Sequence, residues 1–99
     1  MKLKILGKRY TVENVDADVI EGLGADGACL SNGRILISSG LTDDDYRETL
    51  IHEVLHAIWA GMDVGYSEAT EEKVVTALGK GLSAFVADND AEIVRSVLA

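Results

Sequence analysis

The sequence predicts an α+β domain in which a small antiparallel sheet of two hairpins packs on two helices. Three observations point there. Short apolar runs separated by turn signals fill the first forty residues, the pattern changes to helical spacing after Ser39-Gly40, and a hydroxyl residue opens each helical stretch at Thr42 and Ser67. The 99 residues form one domain, 1–99, too short for a Rossmann-type fold or for a catalytic module with a separate recognition domain. A hydrophobic content of 47% is enough to fill one core.

The elements follow in order. Leu3–Leu6 and Arg9–Val12 flank Gly7-Lys8, where the leading glycine suits the first central position of a type II′ turn, so a hairpin is expected. Glu13–Gly27, with three glycines and five acids, reads as a loop. Cys29-Leu30-Ser31 and Arg34–Ser38 flank Asn32-Gly33, a strong hairpin signal, and Arg34–Ser38 is the better strand. Thr42-Asp43-Asp44-Asp45 supplies an N-cap and first-turn acids for a helix in which Tyr46, Leu50, Val54, Ala57 and Ile58 recur at helical spacing until Gly61. Ser67 caps a second, longer helix with the stripe Val74, Val75, Leu78, Leu82, Phe85 and Val86. Gly79 and Gly81 inside it imply close approach of another backbone or a local break. Asp88-Asn89-Asp90 interrupts that helix, and Ala91–Leu98 forms a short last one.

Charge and cysteine content narrow the function classes. Nine Lys+Arg against 17 Asp+Glu give a net charge of −8, which argues against nucleic acid and anionic lipid as partners. One cysteine, Cys29, builds no disulfide framework, and no apolar run has the length of a membrane span, so an intracellular, cytoplasmic protein is expected.

The chemistry is concentrated in His52-Glu53-Val54-Leu55-His56, an HExxH pattern. Histidines at i and i+4 project from one helix face and can reach one zinc ion, while the glutamate between them is placed to act as general base. Chance supplies this pattern about once in four hundred chains of this length. Its flanks, Thr49-Leu50-Ile51 and Ala57-Ile58, are uncharged, as a packed helix requires.

Both histidines of the chain are thereby used, so the third metal ligand must be Asp, Glu or Cys29. The longer metzincin motif fails, because Met62 and Trp59 stand where it needs histidine and glycine. Cys29 is more simply a small buried hydrophobe. Glu71 precedes Val74, Val75, Leu78 and Leu82 at helical spacing and is therefore expected on the apolar face, where a carboxylate needs a cation. Glu72, nearer the phase of Val75 and Gly79, is the alternative, and Glu68 a distant third. Tyr66, between the helices, is the candidate transition-state stabiliser. Arg34–Ser38 leads toward the HExxH helix and is the candidate edge for pairing with an extended peptide. The GxGxxG string at residues 22–27 is read as a flexible loop, because a hairpin follows it instead of a helix.

Thr49–Ile58 followed by Glu71-Glu72-Lys73-Val74-Val75 at the head of a long helix resembles small zincin metallopeptidases of phages and prophages, which are similar to the ImmA/IrrE type. The resemblance spans roughly residues 28–90 and is specific in the motif. It implies a minimal zincin-like fold, a zinc cofactor, a second helix delivering a glutamate, and hydrolysis of a protein or peptide substrate. The chain lacks room for the extra helices and DNA-binding domain of larger relatives, and a protein partner that completes the cleft is consistent with that. The competing expectations are a catalytically inactive, zinc-stabilised module that binds other proteins, and a purely structural metal site. Glu53 between the histidines favours chemistry, since a structural site has no use for it.

Overall fold

The order of elements in the computed structural model, which describes residues 1–21 and 26–98, is β1 (Lys2–Ile5), β2 (Lys8–Val15), α1 (Ala17–Glu21), β3 (Gly27–Cys29), β4 (Arg34–Ser38), α2 (Asp43–Met62), α3 (Glu68–Asp88) and α4 (Ala91–Leu98). The α+β class stands, with four strands in one sheet ordered β1-β2-β4-β3. Both hairpins form, pairing β1 with β2 and β3 with β4 in antiparallel fashion. The sheet as a whole is mixed, not antiparallel. Glu13, Asn14 and Val15 extend β2 and pair with Leu36, Ile37 and Ser38 in parallel, so part of the segment expected to be loop is sheet. The chain needs a crossover to return in parallel, and it includes α1, whose Ile20 is 1% exposed. Of the glycine-rich string, residues 22–25 lie outside the described residues.

The turns differ in detail from the expectation. In the first hairpin Ile5 pairs with Lys8, so Leu6 and Gly7 are the central residues, with φ of 49° and 81°. Two positive φ values make a type I′ turn, whose twist matches the flanking strands at some cost to the leucine. In the second, Gly33 has φ 85° and its N–H donates to the Leu30 carbonyl, while the Leu30 N–H donates to Arg34. That is a three-residue loop closed by a glycine bulge, and Asn32 does not take positive φ.

Both predicted N-caps are present. Thr42 Oγ1 accepts from the Asp45 N–H at 3.1 Å, and Ser67 Oγ accepts from the Thr70 N–H at 3.2 Å. Helix α2 continues past Gly61 to Met62 and ends at Asp63, whose φ of 52° supplies the left-handed cap expected of the glycine. Gly61 instead leaves room for Leu6, since a Cβ there would stand 2.7 Å from Leu6 Cδ1.

The core lies between the sheet and one face of α2. Ile5, Tyr10, Val12, Ile35, Ile37 and Ala57 are buried together, with Tyr46, Leu50, Val54 and Ile58 packed around them. The residues read from the sequence as the apolar stripe of α2 are therefore its sheet-facing side. Helix α3 packs on another side of α2. Its buried line is Val75, Gly79 and Ser83, whereas Leu78 is 53% exposed. Gly79 is where the two backbones approach, as a Cβ there would sit 3.7 Å from His52 Cα. Arg47 ties the helices further, donating from Nε to Ser83 Oγ while its guanidinium pairs with Asp44. Among the described residues no helix is long and apolar enough to cross a membrane.

Two glycines should respond oppositely to alanine. A Cβ on Gly27 would stand 2.7 Å from Thr49 Cγ2 and 3.1 Å from the Leu36 carbonyl oxygen, so Gly27→Ala should cost about 1–3 kcal/mol through overpacking. Gly81 meets nothing within 4 Å in a helix interior, so Gly81→Ala should stabilise by about 0.5–1 kcal/mol. Urea denaturation of the two variants checks both signs.

Candidate metal centre

Helix α2 presents three functional side chains in two directions. Glu53 points toward β3 and is 5% exposed, with its Cγ near the space a Gly27 side chain would need. His52 and His56, one helical turn apart, turn toward α3. Their Nε2 atoms lie 3.2 Å apart.

The structure brings Glu72 to both of those nitrogens. Glu72 Oε1 is 3.1 Å from His52 Nε2, and Glu72 Oε2 is 2.9 Å from His56 Nε2. These three residues are the group whose ligand atoms gather within 4.8 Å. Glu71, expected as the ligand, reaches the other side of the ring instead. Its Oε2 is 2.6 Å from His56 Nδ1, which donates to it. The expectation placed the phase of α3 one residue early. Glu72 precedes Val75, Gly79 and Ser83 by three, seven and eleven residues, the spacing that had been assigned to Glu71 from the larger side chains Val74, Leu78 and Leu82. An interface built on glycine and serine carries no hydrophobic signal at those positions.

The donor set calls for a cation. With the Nδ1 proton of His56 held by Glu71, the Nε2 lone pair of a neutral imidazole faces a second imidazole nitrogen and a carboxylate. Such a cluster repels itself unless a proton or a metal ion stands between its members. Two imidazole nitrogens and a carboxylate suit a divalent metal, and the Glu71 contact is the outer hydrogen bond that fixes ring orientation in metal-ligating histidines. Thr76 adds a hydrogen bond from Oγ1 to Glu72 Oε1 at 3.3 Å.

Beside the cluster opens a cleft of about 180 Å³ lined by residues that include Glu53, His52, Glu72, Thr49, Thr76 and Lys80. Burial, with Glu72 adding to it and His56 opposing, pushes the Glu53 carboxyl up to about 7. A carboxyl so placed exchanges a proton near neutrality, as a general base must. Lys80 follows Glu72 and Thr76 on the same helix face and lines the cleft, a neighbour that the sequence analysis does not single out. Spacing of four and eight residues from Glu72 was the available signal.

Two expected participants are placed differently. Tyr66 is 67% exposed, its ring centroid stands 6.2 Å from that of Trp59, and it is not among the residues that line the cleft. The interhelical segment that carries it follows the left-handed turn at Asp63. Strand β4 cannot accept a peptide, because it is flanked by β2 and β3. The edge beside the cleft is β3. Asp26 and Leu30 make the hydrogen bonds to β4 that bracket it, so alternation points the backbone groups of Gly27 and Cys29 away from β4.

Comparison of the chain with protein-family models, curated proteins and solved structures gives no match.

Cys29 reports on the charge of this region. Burial raises its thiol above the ordinary value, with the carboxylates of Glu53 and Glu71 adding and Lys8 opposing. Its alkylation by iodoacetamide should lag behind that of glutathione at pH 8 and rise only at higher pH. Glu53→Gln should move the alkylation profile to lower pH; an unchanged profile would mean that Glu53 carries no charge near the thiol.

Proposed function

We propose that the protein is a zinc-dependent metallo-endopeptidase of minimal zincin type, with His52, His56 and Glu72 as zinc ligands and Glu53 as general base. The observation that carries this reading is the convergence of three donors, two imidazole nitrogens and a carboxylate, beside the buried carboxyl of Glu53. Tetrahedral zinc bonds of about 2 Å set neighbouring donors about 3.3 Å apart; the two imidazole nitrogens stand 3.2 Å apart, each with a different Glu72 oxygen beside it, and one ligand atom from each of the three residues gathers within 4.8 Å. Bound zinc supplies an acidified water and polarises a carbonyl oxygen.

The rest is the work of the chain's own side chains. Glu53 takes the proton from the attacking water and delivers it to the leaving amine, acting as base and then as acid. Glu71 keeps the His56 Nδ1 proton in place, which leaves Nε2 free to bind metal. Lys80, in place of Tyr66, offers positive charge to the oxyanion that develops as the carbonyl is attacked. An extended peptide pairs with the outward backbone groups of Gly27 and Cys29 on β3, next to Glu53. The resemblance of Thr49–Ile58 and the following helix to small phage-type zincins supports the same reading.

Two measurements test it. In zinc competition against a chelator, Glu72→Gln should remove a ligand and abolish tight binding, whereas Glu71→Gln should weaken affinity by about 10–100-fold. Equal losses, or a greater loss with Glu71→Gln, would reverse the ligand assignment. In cleavage of a peptide library, Glu53→Gln should retain zinc and lose about 10²–10⁴-fold in rate. Zinc retention with no cleavage by either protein would favour the non-catalytic binding module.

A further inference from the structure

The charge of the chain is unevenly distributed. Residues 1–12 carry Lys2, Lys4, Lys8 and Arg9 and no acid, while the remaining residues carry five cations against all 17 acids. The structure gathers three of these cations on one surface. Leu3, Ile5, Tyr10 and Val12 face the core, so strand alternation puts Lys2, Lys4, Arg9 and Thr11 on the opposite face of the sheet. The register sets Lys4 directly across from Arg9, and Lys2 across from Thr11. A concavity of about 340 Å³ lies there. Among the described residues none of the three cations is paired with a carboxylate; the ion pairs that do not involve histidine are Arg34–Glu13 and Arg47–Asp44.

The same strand is an open edge. β1 stands at one end of the sheet, and Met1 and Val12 exchange backbone hydrogen bonds, so alternation turns the N–H and C=O groups of Lys2 and Lys4 outward. Lysines on an edge strand are a common guard against indiscriminate pairing. That purpose accounts for Lys2 and Lys4 but not for Arg9, which lies on β2 and opposes Lys4 at a cost in repulsion. The three charges together make sense against an anion.

We propose that the β1 edge docks an extended acidic segment of a partner protein, which adds as a fifth strand and sets alternate carboxylates against Lys2, Lys4 and Arg9. Side chains two residues apart on a strand stand about 6.8 Å apart on both partners, so acids at every second position keep step with the lysines. A second copy of β1 would place lysine against lysine. Nucleic acid gains nothing from the strand's backbone donors and acceptors. The sheet order puts this edge at the end opposite β3, so docking leaves the metal centre open. The inference is independent of the protease reading.

Fluorescence anisotropy with the full chain tests it, using a labelled peptide of about eight residues that alternates Glu and Thr. Controls are the Lys-Thr counterpart, the Glu-Thr peptide N-methylated at alternate amides, and a labelled oligothymidine of the same length. Binding of the Glu-Thr peptide should weaken with salt, fall about tenfold or more in Lys2→Glu/Lys4→Glu/Arg9→Glu, and be lost on N-methylation. Circular dichroism establishes that the triple variant is folded; should it not be, Arg9→Gln and the N-methylated peptide on the unaltered chain decide the matter. No preference for Glu-Thr over Lys-Thr, equal binding of the N-methylated peptide, or equal binding of oligothymidine would overturn the proposal.

Discussion

Helix α2 is held between the sheet on one side and α3 on the other, and the site depends on that confinement. On one side Gly27 lets β3 come up against Thr49 and Glu53; on the other Gly79 lets α3 come up against His52. An added Cβ at Gly27 would press on Thr49 and Glu53, whereas at Gly79 it would meet His52 at ordinary contact distance. Between these two neighbours a single helix buries Glu53 toward the sheet and offers His52 and His56 to α3. The proposed chemistry uses both at once, a buried carboxyl and two imidazoles facing a carboxylate.

The charges of the cluster follow from the same packing. Closing α3 onto α2 brings Glu71 and Glu72 to the two ends of the His56 ring, one at each nitrogen. The pair divides the contacts: Glu71 meets Nδ1, and Glu72 joins the two Nε2 atoms in a group that could hold a metal ion. Neighbouring glutamates on a helix differ by about 100° in direction, so such a division needs the helix phase to bisect them.

Much of this was legible before any coordinates. Thr42 and Ser67 declared the helix starts, the sheet-facing side of α2 was written in large apolar residues, and the i, i+4 histidines had one way to project. The mixed sheet was not legible, because the parallel pairing of β2 with β4 joins segments separated by a crossover whose sequence is polar and glycine-rich. Leu6 in a left-handed conformation was hidden because local propensity argues against it. The choice between Glu71 and Glu72 was lost where α3 packs through Gly79 and Ser83, which hydrophobicity overlooks, while Leu78 on the same helix is exposed and misdirects the phase. Tyr66 adjoins both helices in sequence, which says nothing of its direction; the chain turns at Asp63 and Gly65, and the Tyr66 ring is exposed near that of Trp59.

The most direct test of this account is a crystal structure of the protein grown with zinc, with the metal located by anomalous scattering at the zinc edge. The account predicts one zinc per chain bound by His52 Nε2, His56 Nε2 and a Glu72 oxygen, with Glu71 still on His56 Nδ1 and the fourth position facing Glu53. Zinc held by Glu71 in place of Glu72, zinc closed off by a fourth protein ligand, or no zinc between the two histidines would contradict it.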